Sequence, residues 1–467
     1  MEIDKFTFEK SKMNNKLFKN RYFLSAVQFF TLIVFVLLIY GAIGVATDDS
    51  GFAKILRNTN LSNLIVWSYW WPLIIVTAII FGRFWCSICP MELITSFFGK
   101  IGLRRKPWKY LKSGWVTTVF YAVILVVGIH TLAIHRIPMY MAIYMIVLLI
   151  TAIISGLIWE KRTFCTYICP IGHLLGLYSL LSFKKLKVID QNVCKKCETK
   201  SCISKESHYK FIERSCTSEL FPPKLKDNRS CILCGQCFKS CSNDNIVIQK
   251  QRIAADMFGN IKLSWAEISF FLIVSGFVVY EILSEWKVSK KIVMAIPNFI
   301  NSVFQVSNRF EGTVKALTLF VFLPFIFYFI PVLLKKYFAR ETWKGAFTQL
   351  ILAVLPVTAS MHLLKALLKT TSRIPYWNYV MSDPEGVKTA DLIMNNPDML
   401  NRGFLTSYIS PAVGFFALVL PLAGLILSLL IIRKQEYANK LSRALTILTV
   451  LIYSSIFITT LTIWKIT

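Results

Sequence analysis

The twelve cysteines of this chain all fall between Cys86 and Cys241, most of them two to four residues apart. Thiols this close along the chain rarely bridge one another without strain, whereas thiolates so spaced converge readily on a metal centre. The most specific run is Cys231-x2-Cys234-x2-Cys237-x3-Cys241. Three thiolates at two-residue intervals wrap one face of a 4Fe-4S cube, and a fourth, carried off along a turn of helix, reaches a second cluster. Gly235 gives such a loop the freedom to bring its backbone close to inorganic sulfide. Upstream, Cys194-x2-Cys197-x4-Cys202 is followed by Cys216. If each run lends one thiol to the other's cluster, Cys194, Cys197, Cys202 and Cys241 form one ligand set, and Cys231, Cys234, Cys237 and Cys216 the other. Two zinc sites would also take eight thiolates, but zinc has no need of the x2, x2, x3 run.

The other four cysteines lie in "RFWCSICP" and "RTFCTYICP", which supply Cys86 with Cys89 and Cys165 with Cys169. Each motif reads basic, any, aromatic, Cys, two or three residues, Cys, Pro. Pro90 and Pro170 suit the start of a helix, whose N-terminus favours a thiolate. An apolar hairpin precedes each motif, so residues 1–183 read as two repeats of one unit. Packed side by side, the repeats bring the four thiols together. Four thiols are enough for a further small iron-sulfur centre or a single metal ion; a dithiol/disulfide pair and four inert buried thiols are the alternatives.

The elements that position these residues are membrane helices. Of 467 residues 55% are hydrophobic, and the mean hydropathy of +0.55 is too high for a soluble chain of this length. Apolar runs long enough to span a bilayer occur at 22–46, 63–82, 114–134, 137–159, 263–284, 314–334, 346–368, 405–432 and 445–464. The first follows a basic segment and lacks a small-residue cleavage site, which reads as an uncleaved anchor. Lys5 through Arg21 place the N-terminus on the cytoplasmic side, and the stretch from Arg83 to Lys112, "LLKKYFARETWKG" and "IIRKQEYANKLSR" place the second, sixth and eighth connections there too. "EWKVSKK" at 285–291 falls outside on this count and breaks the rule, which leaves open that 263–284 only dips into the membrane. The expected fold is therefore an all-α polytopic membrane protein of about nine transmembrane helices with a small inserted α+β, two-cluster ferredoxin-like domain. Its parts are a membrane domain at 1–183, a cytoplasmic cluster domain at 184–260 and a C-terminal membrane domain at 261–467. The connection at 370–403 reads as an ordered outward loop.

The net charge of +28 sits between apolar runs and carries no nucleic-acid recognition motif, so nucleic acid is excluded as a partner. Residues 184–252 hold fifteen Lys and Arg against seven Asp and Glu, a surface that suits an acidic carrier such as a ferredoxin or flavodoxin, or anionic lipid.

The order of hairpin, Cys-Pro motif, hairpin, Cys-Pro motif and two-cluster run, over residues 20–250, resembles the membrane polyferredoxins of the NapH/NosR-like group. These serve periplasmic nitrate reductase systems and nitrous-oxide respiration, and a related branch handles copper in oxidase assembly. The resemblance implies two 4Fe-4S clusters on the cytoplasmic side of a bacterial inner membrane and electron transfer to or from that membrane in anaerobic respiration. This chain departs by having Cys-x2-Cys-Pro first, where the group shows Cys-x3-Cys-Pro, and by lacking an outward flavin-binding domain.

His130 and His362 fall within apolar runs, in the third and seventh spans, compatible with two axial ligands of a haem but more commonly found as packing residues. Lys365 and Lys369 share a helical face with His362 and face a quinone headgroup, an anionic partner or the lipid interface. The expected function is a redox conduit, not necessarily a catalyst in itself, between a cytoplasmic donor or quinone and an outward-facing reductase or its maturation system. The alternative is copper reduction and delivery at the four membrane-edge thiols, since soft thiolates favour reduced copper. Few acidic residues in the C-terminal spans argue against a cation path.

Overall fold

A computed structural model describes residues 20, 22–210 and 214–466. The basic N-terminal segment expected on the cytoplasmic side, through Arg21, lies outside the described residues. The protein is all-α and polytopic. Among the described residues eight helices are long and apolar enough to cross a membrane: Phe23–Tyr40, Leu61–Phe81, Pro138–Ile158, Trp265–Leu283, Phe310–Phe338, Trp343–Val380, Leu405–Lys434 and Lys440–Lys465. The remaining apolar run forms the shorter helix Trp115–Ile129, about 22 Å long at 1.5 Å per residue against a hydrocarbon core of about 30 Å. It stops where His130, Thr131, His135 and Arg136 interrupt the apolar pattern before Pro138 opens the next helix.

The stretch that broke the charge rule is itself helical. Lys287–Val303 carries Lys287, Lys290 and Lys291 in its first two turns. Val288, Ile292, Ile296, Phe299 and Val303 form an exposed apolar stripe. This is the pattern of an interfacial helix, not of a span, while the preceding helix Trp265–Leu283 keeps full spanning length behind a capping box formed by Ser264 and Glu267. The segment after Thr371 is ordered by short helices at Trp377–Val380 and Val387–Asn395.

The chain divides into two compact units. One comprises Met1–Leu37, Val76–Thr117 and Met145–Gly259, and the other Leu38–Ile75, Thr118–Tyr144 and Asn260–Thr467. The first unit contains every cysteine. Within it, Lys184–Val188 pairs antiparallel with Ile246–Lys250, in register from Lys184 opposite Lys250 to Val188 opposite Ile246. This ribbon closes the base of the insert, whose core is Leu186, Leu233, Phe238 and Ile246 with Cys231 and Cys237. The same unit joins the two hairpin repeats by backbone hydrogen bonds: Leu103 N donates to Leu157 O at 2.7 Å, Arg105 N to Ile158 O at 2.9 Å, and Glu160 N to Arg105 O at 2.9 Å. A Cβ at Gly102 would sit 2.4 Å from Leu157 O, so only glycine lets the two backbones approach this closely. The joint lies a few residues before Arg162 and Cys165, and so fixes the second cysteine motif against the first repeat.

The second unit is built on Trp343–Thr371, buried along most of its length, with Trp265–Leu283, Ser410–Lys434 and Lys440–Ile466 around it.

Candidate functional site

The insert places its eight thiols on short, irregular elements. Asp190 caps Gln191–Lys196 and leads to Cys194, with Cys197 at the far end of that helix. Asn245 clamps the start: its Oδ1 accepts from Asp190 N at 2.9 Å, and its Nδ2 donates to Cys194 Sγ at 3.1 Å. The four-residue gap before Cys202 is taken up by Lys200, at φ 40°, and a 3-10 turn at Ser201–Ile203. Cys216 N donates to Cys202 O at 2.8 Å, which ties the two runs together. Gly235, at φ 71°, turns the chain into Gln236–Lys239, which carries Cys237; glycine meets that left-handed geometry without strain.

Around these loops the thiols gather in two groups of four. Cys194, Cys197, Cys202 and Cys241 line one void. Cys216, Cys231, Cys234 and Cys237 line another, walled by Leu186, Leu220 and Leu225. Pro222 lines both, so the voids are neighbours. Among the described residues no three His, Cys, Asp or Glu side chains converge as a single ion requires. Thiols spread around a void fit a cluster that fills volume better than a zinc ion with bonds of about 2.3 Å. Cys231 and Cys234 accept from the backbone N–H groups of Leu233 and Gln236. Burial pushes the Cys231 thiol up to about 12 and Cys202 up to about 11. A cationic occupant supplies the compensation that would hold them as thiolates.

The two membrane-edge motifs share one local design. Cys86 sits in the helix Phe84–Ile88, Cys89 ends it in extended conformation, and Pro90 opens Pro90–Ile101. Cys165 sits in Phe164–Ile168 and Cys169 ends it, also extended, ahead of Pro170. The extra residue of the second motif is absorbed by a wider π-turn, in which Cys169 N donates to Phe164 O at 2.8 Å. Each second cysteine then accepts from the backbone N–H two residues on, Met91 for Cys89 and Ile171 for Cys169. The four thiols are near enough to affect one another's ionisation: burial first, then neighbouring thiols, push Cys89 well up and Cys169 to about 12.

Sequence reasoning recorded the basic residue of each motif without giving it a role at the thiols. Arg83 Nη1 donates to Arg229 O at 2.8 Å, two residues before Cys231, while Nη2 lies 3.9 Å from Cys86 Sγ. Arg162, 3% exposed, donates to Ser218 Oγ at 3.0 Å, two residues after Cys216. Burial opposes its charge, but Cys165, Glu92 and Cys86 hold it protonated above its ordinary range. The repeat-related arginines thus each reach from a membrane-edge thiol to the flank of the Cys216/Cys231 group.

Sequence reasoning missed Glu92, in the "CPMEL" that follows Cys89. Its carboxylate is 1% exposed, 3.0 Å from Arg214 Nη2 and 3.6 Å from Arg162 Nε. Gln28 Nε2 donates to Glu92 Oε2 at 2.5 Å and to Ser87 O at 2.8 Å, and Thr31 Oγ1 to Ile88 O at 2.7 Å. The polar pair Gln28 and Thr31, three apart on a largely apolar helix, was the signal available. His130 and His362 pack edge-on or tilted against aromatics, His130 against Phe320 at 5.0 Å and His362 against Phe277 at 6.1 Å.

Residues 63–109 and 141–188 both match a family model described as a 4Fe-4S binding domain. Each matched segment covers most of the second helix of a hairpin and the cysteine motif that follows it, Cys86 and Cys89 in the first and Cys165 and Cys169 in the second. Two proteins of Methanocaldococcus jannaschii are similar to the chain. Uncharacterized protein MJ0749 is 28% identical over 176 residues, 36% of this chain and 64% of its own length. Uncharacterized protein MJ0750 is 24% identical over 189 residues, 37% of this chain and 74% of its own length. The chain thus spans less than two thirds of the first of these relatives. No solved structure matches. Spanning helices together with paired matches to a 4Fe-4S binding domain make the chain a membrane iron-sulfur protein.

Proposed function

We propose that the chain is an electron conduit of the NapH/NosR-like polyferredoxin kind, with its cluster insert on the cytoplasmic side of a bacterial inner membrane. Cys194, Cys197, Cys202 and Cys241 would hold one 4Fe-4S cluster, and Cys216, Cys231, Cys234 and Cys237 a second. Cys86, Cys89, Cys165 and Cys169 would hold a further iron-sulfur centre. Bound clusters supply one-electron storage and transfer. The observation that carries the reading is the sorting of eight thiols around two adjacent voids, with paired arginines linking one group to the membrane-edge thiols. The protein's own groups set the conditions: backbone N–H donors to sulfur and the buried charge of Arg162 stabilise added negative charge. The basic insert attracts an acidic carrier, and the electrons pass on to an outward-facing reductase or its maturation system.

Full-length protein mixed anaerobically with reduced flavodoxin is expected to lose its visible charge-transfer absorption rapidly, at a rate that falls steeply as salt is raised. Bleaching by dithionite but by neither flavodoxin nor ferredoxin nor a quinol would sink the conduit reading.

Arg162→Gln should lower the midpoint potential of at least one centre by on the order of 50 mV, because a buried positive charge favours the reduced form. Redox titration followed by paramagnetic resonance checks this. An unchanged set of potentials would leave Arg162 a packing role only.

A further inference from the structure

Away from the cysteines, the second unit gathers four half-buried cations. Arg57 lies on Ser50–Thr59, Arg136 just before Pro138, and Lys369 and Arg373 at the end of Trp343–Thr371 and just past it. Their charges act on one another and on His135. The acidic groups in reach are Glu281 and Glu285, and both are bound to Lys365, Glu281 at 3.1 Å. Among the described residues none of Arg57, Arg136, Lys369 and Arg373 makes an ion pair with a carboxylate. Burial, then Arg373 and Arg136, lowers Arg57 to about 10.

The framework around these groups is well tied. Asn63 Nδ2 donates to Arg57 O at 3.2 Å and His135 O at 3.4 Å. Thr370 Oγ1 donates to Ser68 O at 2.7 Å, and Trp377 Nε1 to Tyr69 OH at 2.5 Å. A π-turn at Val66–Trp70 presents Trp67, whose ring lies 5.8 Å from Lys369 Nζ and 6.4 Å from the His135 ring. Yet five buried polar atoms here have no partner among the described residues: Arg57 Nε, Arg373 Nε, Trp67 Nε1, His135 Nδ1 and Asn63 Oδ1. His135 Nε2 accepts from Arg136 Nε at 3.2 Å, so a neutral ring keeps its proton on Nδ1. Four of the five orphans are then N–H donors. An arginine cannot shed its charge, and a buried unmet donor is costly. A ligand with negatively charged acceptor oxygens meets both deficits, since charge-assisted hydrogen bonds to oxyanions are the strong ones.

We propose that Arg57, Arg136, Lys369 and Arg373, with Trp67 and His135, form a binding site for an oxyanion group, a phosphate or carboxylate. The group belongs either to a soluble anion or to the headgroup of an anionic lipid. The site is independent of the clusters and stands whether or not the electron-conduit reading does.

Thermal unfolding of the full-length protein tests it. Inorganic phosphate at constant ionic strength against chloride, in detergent, is one arm; phosphatidylglycerol against phosphatidylcholine nanodiscs is the other. At least one oxyanion source is expected to raise Tm saturably by about 2–5 °C, and the arm that responds identifies the source. In Arg57→Gln/Arg373→Gln the shift should vanish, while Lys291→Gln, exposed on the helix Lys287–Val303, should keep it. Without oxyanion the double variant should be no less stable than the wild type, because it loses mutual repulsion; arginines that serve only packing would give a loss. No response to either probe in the wild type, or an undiminished response in the double variant, would overturn the proposal.

Discussion

Cys241→Ser is expected to remove the same cluster as Cys194→Ser, not the one lost with Cys231, Cys234 or Cys237, although Cys241 follows Cys237 closely in sequence. Cys241 lines the void shared with Cys194, Cys197 and Cys202, while Cys216, fifteen residues before Cys231, lines the other. Each variant should lose about four iron and four sulfide per chain. The residual paramagnetic signal of Cys241→Ser should superimpose on that of Cys202→Ser and differ from that of Cys237→Ser. Residual signals that sort by sequence run instead would show that the two sets exchange no ligand.

The second large effect is on stability. Glu92→Gln leaves the guanidinium groups of Arg162 and Arg214 beside each other without a carboxylate, in a site where Glu92 is 1% and Arg162 3% exposed. Removing one partner from such a buried network costs about 3–5 kcal/mol. A thermal unfolding scan should show a large drop in Tm, partly restored by adding Arg214→Gln. Burial disfavours the charged carboxylate, but Arg214 and Arg162, with hydrogen bonds from Ser96 and Gln28, hold its pKa below the ordinary 4.5. A carboxyl whose folded pKa is depressed stabilises fully above its unfolded value, and that stability is lost as pH falls through the lowered one. The gap between wild type and Glu92→Gln should therefore be widest near neutrality and close on acidification. A gap that persists unchanged below that window would assign the loss to packing.

Much of this molecule is legible in its sequence, and the limits have physical causes. Continuous apolar runs announce spanning helices because the bilayer demands length and hydrophobicity over a local window; eight such helices are present among the described residues. Trp115–Ile129 is shorter than its apolar run because the polar residues near His130 and His135 end the helix. The interfacial helix Lys287–Val303 escaped notice since its stripe is periodic, not continuous. Cysteine spacing points to the thiols that meet within one run, because loop geometry there is local, whereas Cys216 and Cys241 reach their groups through the fold of the insert. Glu92, Arg162 and Arg214 are brought together only by tertiary packing, and no window of sequence contains them. The same holds for Arg57, Arg136 and Arg373, which arrive from three separate connections.

Iron and acid-labile sulfide counted per chain on anaerobically purified full-length protein, with spin quantification after reduction, tests the central claim most directly. The account predicts at least about eight iron and eight sulfide per chain, with two interacting 4Fe-4S signals. Protein that binds zinc or copper at these cysteines, carries no sulfide and gives no iron-dependent signal would contradict it.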